Sequence, residues 1–166
     1  MRDNALAKLL NVNKADFNVV IAKADGDCFY ECIKHVLDID IQILRNLVAL
    51  QFTEEIYDNY KAICDFSDDL MWIRSCTSID DAKSLLQLKK LVWADEYALK
   101  VIIENYSLTL FIINEGNRDS STSFDRIGNG HTHIILNRTR RQHYNLIKFV
   151  TDVSPIVYDQ FVHRNI

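Results

Sequence analysis

The chain has 166 residues, of which 48% are hydrophobic and 25% are charged, and its formal net charge is −4. Length and composition are those of a soluble globular protein, and we expect a single domain over residues 1–166. The acidic balance argues against a nucleic-acid partner. No apolar run is long enough to span a bilayer and no secretory segment follows Met1, so we also expect no membrane partner.

The four cysteines are Cys28, Cys32, Cys64 and Cys76. They form no Cys-x-x-Cys pair and no Cys/His cluster with zinc spacing, so we expect no metal site. The last three are interpreted as reduced thiols packed in the core. Free thiols without an export signal indicate an intracellular, cytoplasmic setting.

The first half of the chain predicts mainly helices. In the helix that begins at Cys28, apolar residues recur at i, i+4, i+7 and i+8 and give it one buried face, and Asp27 is its expected N-cap. The predicted elements are a short helix at 5–10, a strand at 18–23, a helix at 28–37, a helix from about 41 to 60 and short helices within 65–90.

The second half changes from helical to strand periodicity. A helix is predicted at 93–103 with Trp93 at its entrance, then a strand at 108–114 and a flexible, glycine- and serine-rich loop at 115–130. Two further strands, at 133–137 and 143–150, are close enough in sequence to form an antiparallel hairpin. Helices that come mostly before the strands favour the α+β class.

Cys28 is the leading candidate for a catalytic nucleophile. It follows the turn Asp25-Gly26-Asp27 between a predicted strand and a predicted helix, where the helix dipole favours the thiolate. His143 offers a base, and Asn145 lies two residues later on the same strand face, where its amide oxygen can orient the imidazole. A thiol, a base and an orienting group are what acyl transfer by cysteine requires.

Other interpretations of these residues remain open. Cys28 could be an ordinary buried cysteine of an amphipathic helix, and Asn145 an ordinary strand asparagine. The remaining histidines are His35, His131, His133 and His163. Among them, His133 is the main alternative base, because its predicted strand pairs with that of His143.

Three stretches together resemble the ovarian tumour (OTU) family of cysteine deubiquitinases. They are Asp25-Gly26-Asp27-Cys28-Phe29-Tyr30, Trp93-Ala94-Asp95-Glu96-Tyr97-Ala98-Leu99 and His143-Tyr144-Asn145-Leu146. Their order and spacing are similar to those of a compact OTU domain over about residues 15–150, most like the viral OTU domains. One departure is Asp27, where the family usually has Asn. Its charge is expected to oppose thiolate formation.

The resemblance implies a papain-like α+β fold, with helices packed around a small, mostly antiparallel central sheet. It implies hydrolysis of the bond after the C-terminal glycine of ubiquitin through a Cys28 thioester, without a cofactor. His143 would be the general base and Asn145 its orienting group. Asp25 would hold the turn whose backbone N–H groups, including that of Cys28, bind the oxyanion. Tyr144 would line the channel for the substrate tail, and Trp93 would pack beneath the site.

The expected partners are ubiquitin or polyubiquitin, and ubiquitin-like modifiers stay open as further substrates. We expect a monomer, in the host cytoplasm if the source is viral. Two alternatives belong to other classes of protein. One is a non-catalytic ubiquitin-binding module that keeps the OTU fold, and the other is an unrelated α+β structural domain.

Overall fold

The computed structural model describes residues 17–115, 123–139 and 142–149 of the chain. Within these ranges the α-helices are α1 (Cys28–Leu37), α2 (Ile41–Leu50), α3 (Glu54–Ile63), α4 (Ile79–Gln87) and α5 (Glu96–Tyr106). Two 3₁₀ segments, Cys64–Phe66 and Asp68–Ile73, lie between α3 and α4. The strands are β1 (Phe17–Val20), β2 (Leu108–Asn114), β3 (Ser123–Ile127), β4 (Thr132–Thr139) and β5 (His143–Phe149). The predicted helix at 5–10 lies outside the described residues.

These strands form one sheet in the order β1-β5-β4-β2-β3. The pairs β1–β5, β5–β4 and β2–β3 are antiparallel, and only β2–β4 is parallel. The expected α+β fold with a mostly antiparallel sheet is therefore confirmed. The predicted hairpin is confirmed as well, with Thr139 opposite His143 at its closed end. This register places His143 at the first position of β5, opposite Thr139.

Two predicted elements in the first half have wrong bounds. The predicted helix at 41–60 is two helices, because Thr53 caps a new helix through its hydroxyl, which accepts the N–H of Ile56 at 3.3 Å. The predicted strand at 18–23 ends at Val20. Beyond it, the N–H of Ala22 donates to the Asn145 side chain at 3.1 Å, so strand pairing is not continued there.

Two elements of the second half also differ from the prediction. Helix α5 begins at Glu96 instead of residue 93, because the Asp95 carboxylate accepts the N–H of Ala98 at 2.9 Å and caps the helix. The predicted loop at 115–130 contains the strand β3. This strand is short, polar and at the edge of the sheet, so its sequence has none of the apolar alternation of a core strand.

The core lies between the helices and the sheet. Phe29 and Ile33 of α1 are fully buried there, as are Leu108 and Leu110 of β2. All four cysteines are free and buried, as expected for Cys32, Cys64 and Cys76. In the described part of the chain, no helix combines the length and apolarity needed to cross a membrane.

Gly130 allows the chain to pass close to the junction of α5 and β2 before β4 begins. Its N–H donates to Leu108 O at 3.1 Å, and its carbonyl accepts the Thr109 hydroxyl at 2.8 Å. A Cβ at this position would lie 1.8 Å from the carbonyl carbon of Ser107. No side chain fits without moving the backbone.

We therefore expect Gly130→Ala to lower the free energy of unfolding by about 1–3 kcal/mol, the usual cost of forcing atoms into a packed site. Urea denaturation measures this value. Asn129→Ala, at the exposed neighbouring position, is the control and should stay within about 0.5 kcal/mol of wild type. Equal stability of Gly130→Ala and wild type would contradict the close approach.

Candidate active site

Cys28 is the first residue of α1 and follows a tight turn after β1. The side chain of Asp25 stabilises this turn, since its Oδ1 accepts the N–H of Asp27 at 3.0 Å. Only glycine fits at position 26 without a shift of the main chain, because a Cβ there would lie 2.8 Å from the backbone carbonyl of Lys90. The turn is therefore held both by its own side chain and by the segment around Lys90.

The Cys28 thiol contacts the main chain on both sides of His143. Its Sγ donates to the carbonyl of Gln142 at 3.5 Å and accepts the N–H of Tyr144 at 3.5 Å. Gln142 is in turn held by the 3₁₀ segment, where its Nε2 donates to Asp69 Oδ1 at 2.6 Å. The fold thus brings the predicted nucleophile against the start of β5, where the predicted base lies.

Hydrogen bonds around Asn145 determine the tautomer of His143. Asn145 Oδ1 accepts the N–H of Ala22 at 3.1 Å, which identifies this atom as the oxygen of the amide. The same oxygen lies 3.0 Å from His143 Nε2, so Nε2 carries the proton and donates it. The other ring nitrogen, Nδ1, then holds a lone pair and is the basic atom.

His143 Nδ1 is buried and has no hydrogen-bond partner among the described residues. The Cys28 thiol donates to Gln142 O instead. A buried acceptor without a hydrogen bond lowers the stability of the fold, so such an atom often has a functional role. The ring is therefore oriented by Asn145, while its basic nitrogen remains available for a proton.

Burial raises the pKa of the Cys28 thiol above its ordinary value of 9.0. The backbone N–H groups of Tyr144 and Phe29 act against this rise, and the carboxylates of Asp25 and Glu31 add to it. The sequence predicts the opposite shift from the helix dipole. In the structure, burial is the largest influence on this pKa and raises it, and the Cys28 Sγ donates to Gln142 O as a thiol does.

Asp27 occupies the predicted N-cap position of α1, but its side chain has a different role. Its side chain makes no capping bond to α1, and its Oδ1 instead forms an ion pair with Arg45 at 2.6 Å. Both partners of this ion pair are buried, so the guanidinium offsets the charge of the carboxylate. The predicted effect of Asp27 on the thiol stays a prediction.

Sequence reasoning missed Arg45, which is 0% exposed. A signal was available, since Arg45 lies one turn after Ile41 and beside Leu44 on the apolar face of α2. A cation at such a position needs a buried anion, and Asp27 was the one unusual acidic residue near the nucleophile.

The turn's backbone N–H groups are already hydrogen-bonded within the protein. Cys28 N–H donates to Asp25 O at 3.2 Å, and Gly26 N–H donates to Lys90 O at 3.3 Å. The N–H of Asp27 is taken by the Asp25 side chain. An oxyanion at this turn would have to share or displace one of these bonds.

The other predicted residues lie as follows. The Tyr144 side chain is 3% exposed and its ring packs edge-on against Phe29, so its role in lining a substrate channel stays a prediction. Trp93 is half-buried against the core. His133 is at the opposite end of β4 from Thr139, the partner of His143, roughly 20 Å away at the rise of a strand.

His35 and His131 are exposed, and His163 is outside the described residues. Within the described ranges, no group of three or more His, Cys, Asp or Glu side chains is placed to bind a metal ion.

The arrangement of elements is similar to that of several solved structures. The OTU domain of human OTUD1 aligns with a TM-score of 0.58 and 15% identity, over 89% of this chain and 91% of that one. An OTU deubiquitinase from Wolbachia pipientis, solved with ubiquitin bound, aligns with a TM-score of 0.57 and 15% identity, over 81% and 96%. The Hazara virus OTU, also solved bound to ubiquitin, aligns with a TM-score of 0.52 and 15% identity, over 82% of this chain and 83% of that one.

No protein-family model and no curated protein matches the sequence. The similarity is therefore one of structure, and it shows an α+β fold with helices packed on a mixed five-stranded sheet. The particular fold is the OTU fold, which confirms what the three motifs predict. A shared fold at 15% identity leaves the alternative of an unrelated α+β structural domain open.

The raised pKa of Cys28 gives a prediction about pH. Alkylation by iodoacetamide requires the thiolate, so its rate at Cys28 should rise with pH and reach half its maximum above 9.0. Fragment mass spectrometry reads the modification at Cys28 separately from Cys32. In the chain unfolded by guanidinium, the half-maximum should fall to the ordinary value. A half-maximum below 9.0 in the folded protein would instead reveal a stable thiolate–imidazolium pair.

Proposed function

We propose that this chain is a cysteine-type deubiquitinase that hydrolyses the isopeptide or peptide bond after the C-terminal glycine of ubiquitin. The observation that carries the proposal is the contact of Cys28 Sγ with the main chain on both sides of His143, whose ring is oriented by Asn145. Nucleophile, base and orienting group on adjoining elements are suited to acyl transfer. The OTU fold supports it, since two similar structures were solved with ubiquitin bound.

In the first half of the reaction, the thiol changes its acceptor from Gln142 O to His143 Nδ1. The proton moves to Nδ1 as sulfur attacks the carbonyl carbon of the terminal glycine, which gives a tetrahedral oxyanion. His143, now an imidazolium, donates its Nδ1 proton to the leaving amine as the C–N bond breaks. The products of this half are the free amine and a Cys28 thioester.

In the second half, water replaces the amine. His143 Nδ1 takes a proton from the water as its oxygen attacks the thioester carbonyl. When the C–S bond breaks, the proton returns to sulfur, and ubiquitin leaves with a terminal carboxyl group. Asn145 serves both halves in the same way, because its oxygen keeps the proton on Nε2 and stabilises the imidazolium.

The oxyanion is assigned to the turn Asp25–Cys28. The N–H of Cys28 donates to Asp25 O over a long 3.2 Å bond in the resting molecule, and a charged oxygen competes well for such a donor. Asp25 keeps the turn compact through its bond to the Asp27 N–H. The same site leaves ubiquitin-like modifiers open as substrates, since the reacting bond is the same.

The alternative is a non-catalytic ubiquitin-binding module with the OTU fold. The raised pKa of Cys28 and the engaged backbone N–H groups of the turn favour this alternative. The uncommitted Nδ1 of His143 favours catalysis, because a buried acceptor without a partner only destabilises a module that merely binds. Kinetics on a ubiquitin substrate separates the two.

Cys28→Ala should abolish hydrolysis of a ubiquitin C-terminal fluorogenic substrate while ubiquitin binding persists, because the nucleophile alone is removed. Cys32→Ala is the matched control. It lies one turn further into α1, is buried, and should leave most of the activity intact. Turnover by Cys28→Ala at the wild-type rate would remove Cys28 from the mechanism. If the wild-type chain binds ubiquitin but does not hydrolyse the substrate, the alternative of a non-catalytic binding module is supported.

His143→Ala should lower kcat by roughly a hundredfold to ten-thousandfold, the scale for losing a general base. His133→Ala is the control at the far end of β4 and should change kcat little. Circular dichroism verifies that both variants are folded. A larger loss in His133→Ala than in His143→Ala would show that the base is misassigned.

A further inference from the structure

The turn that presents Cys28 is bound from outside by one buried side chain, Arg45 of α2. Its Nε and Nη2 contact Asp27 Oδ1, each at 2.6 Å, and Nη2 also donates to Gly26 O at 2.9 Å. Asp27 and Gly26 are the two residues that immediately precede Cys28. The guanidinium therefore binds both a side chain and a main-chain carbonyl of the turn.

The same guanidinium ties the turn to the rest of the molecule. Its Nη1 donates to Leu86 O at 3.1 Å and its Nη2 to Val92 O at 3.0 Å. The Tyr30 ring lies 4.6 Å from Cζ and covers one of its faces. Arg45 thus joins the turn, α1, the end of α4 and the segment before α5. Its planar fork has donors in fixed directions, so it orients all of these groups at once.

Asp27 is held from a second side by the segment between α4 and α5. Its Oδ1 accepts the N–H of Lys90 at 2.9 Å, and Lys90 O accepts the N–H of Gly26. Asp27 is only 2% exposed, so its charge needs the buried cation. The turn therefore has little freedom to move relative to α2, and Cys28 at its end is placed accordingly.

We propose that Arg45 is a positioning residue for the nucleophile: it sets the place of Cys28 through Asp27 and Gly26, and it neutralises the Asp27 carboxylate beside the thiol. The inference rests on the proposed function in naming Cys28 the nucleophile. The ion pair at 2.6 Å and the burial of both side chains support the neutralisation.

Arg45→Lys tests the positioning. Lysine keeps the positive charge but lacks the fork, so the turn loses part of its support. We expect kcat on the ubiquitin substrate to fall about tenfold to a hundredfold with KM nearly unchanged, since small misplacements of a reacting group have effects of that size. Gly130→Ala is the matched control, because it destabilises the fold far from the turn and should leave kcat of the folded protein unchanged.

Wild-type kcat in folded Arg45→Lys would overturn the positioning. If Arg45→Lys fails to fold, kcat of Asp27→Asn is measured instead. The Asn oxygen still accepts from Arg45 and from Lys90 N–H, so the turn keeps its shape and kcat should not show the tenfold or greater fall expected of Arg45→Lys. A loss of kcat in Asp27→Asn equal to that expected of Arg45→Lys would contradict a role of Arg45 that depends on geometry.

Asp27→Asn also tests the neutralisation, without any ubiquitin. The ionisable groups that interact with the Cys28 thiol include Asp25, Glu31, Cys32 and Tyr144. His143 lies between the two residues whose main chain contacts Sγ, and Arg45 is the buried cation paired with Asp27. Removing the Asp27 charge leaves Arg45 uncompensated, so Cys28 should react with iodoacetamide roughly tenfold faster at neutral pH, at the low end of the effect of a nearby charge. An unchanged or slower rate would overturn the neutralisation.

The two assays also separate this inference from the proposed function. If wild type fails to hydrolyse the ubiquitin substrate, the proposed function fails. The faster alkylation of Asp27→Asn is still expected in that case, because it depends only on the charges around the thiol. If wild type hydrolyses ubiquitin and both variants behave as wild type in both assays, only the inference about Arg45 fails.

Discussion

The buried ion pair between Arg45 and Asp27 is the constraint on which the geometry of the site depends. A guanidinium without exposure can be stable in a protein only when its donors are satisfied, and here a carboxylate and three main-chain carbonyls accept from it. Each of these acceptors lies in a segment without regular structure of its own or at a helix end. One side chain from α2 therefore organises the loops that surround Cys28.

The second half of the site is organised by the sheet. The hairpin register sets His143 at the start of β5, and the Asn145 oxygen joins the imidazole to the end of β1 through Ala22. The two halves meet at the Cys28 sulfur, which bridges Gln142 O and Tyr144 N. In this arrangement the thiol donates to Gln142 O and His143 Nδ1 has no partner among the described residues. The proposed mechanism therefore requires the thiol to change its acceptor.

The sequence predicts the elements that carry strong periodicity. Helix α1 and strand β2 have the predicted bounds, because apolar spacing and clear end signals agree there. Thr53 could not be recognised as a break, since apolar residues continue on both sides of it, and β3 is too polar to read as a strand. The candidate catalytic residues come from local motifs. Arg45 does not, because its partners are far apart in sequence and meet only in the folded chain.

The proposed function requires Cys28 to attack the C-terminus of ubiquitin with His143 as its base. Its most direct test is intact-mass and fragment analysis after incubation with ubiquitin that carries a thiol-reactive electrophile at its C-terminus. We expect one covalent adduct per chain, at Cys28, and a large loss of adduct formation in His143→Ala. No adduct on the folded chain, or an adduct at Cys32, Cys64 or Cys76 instead, would contradict it.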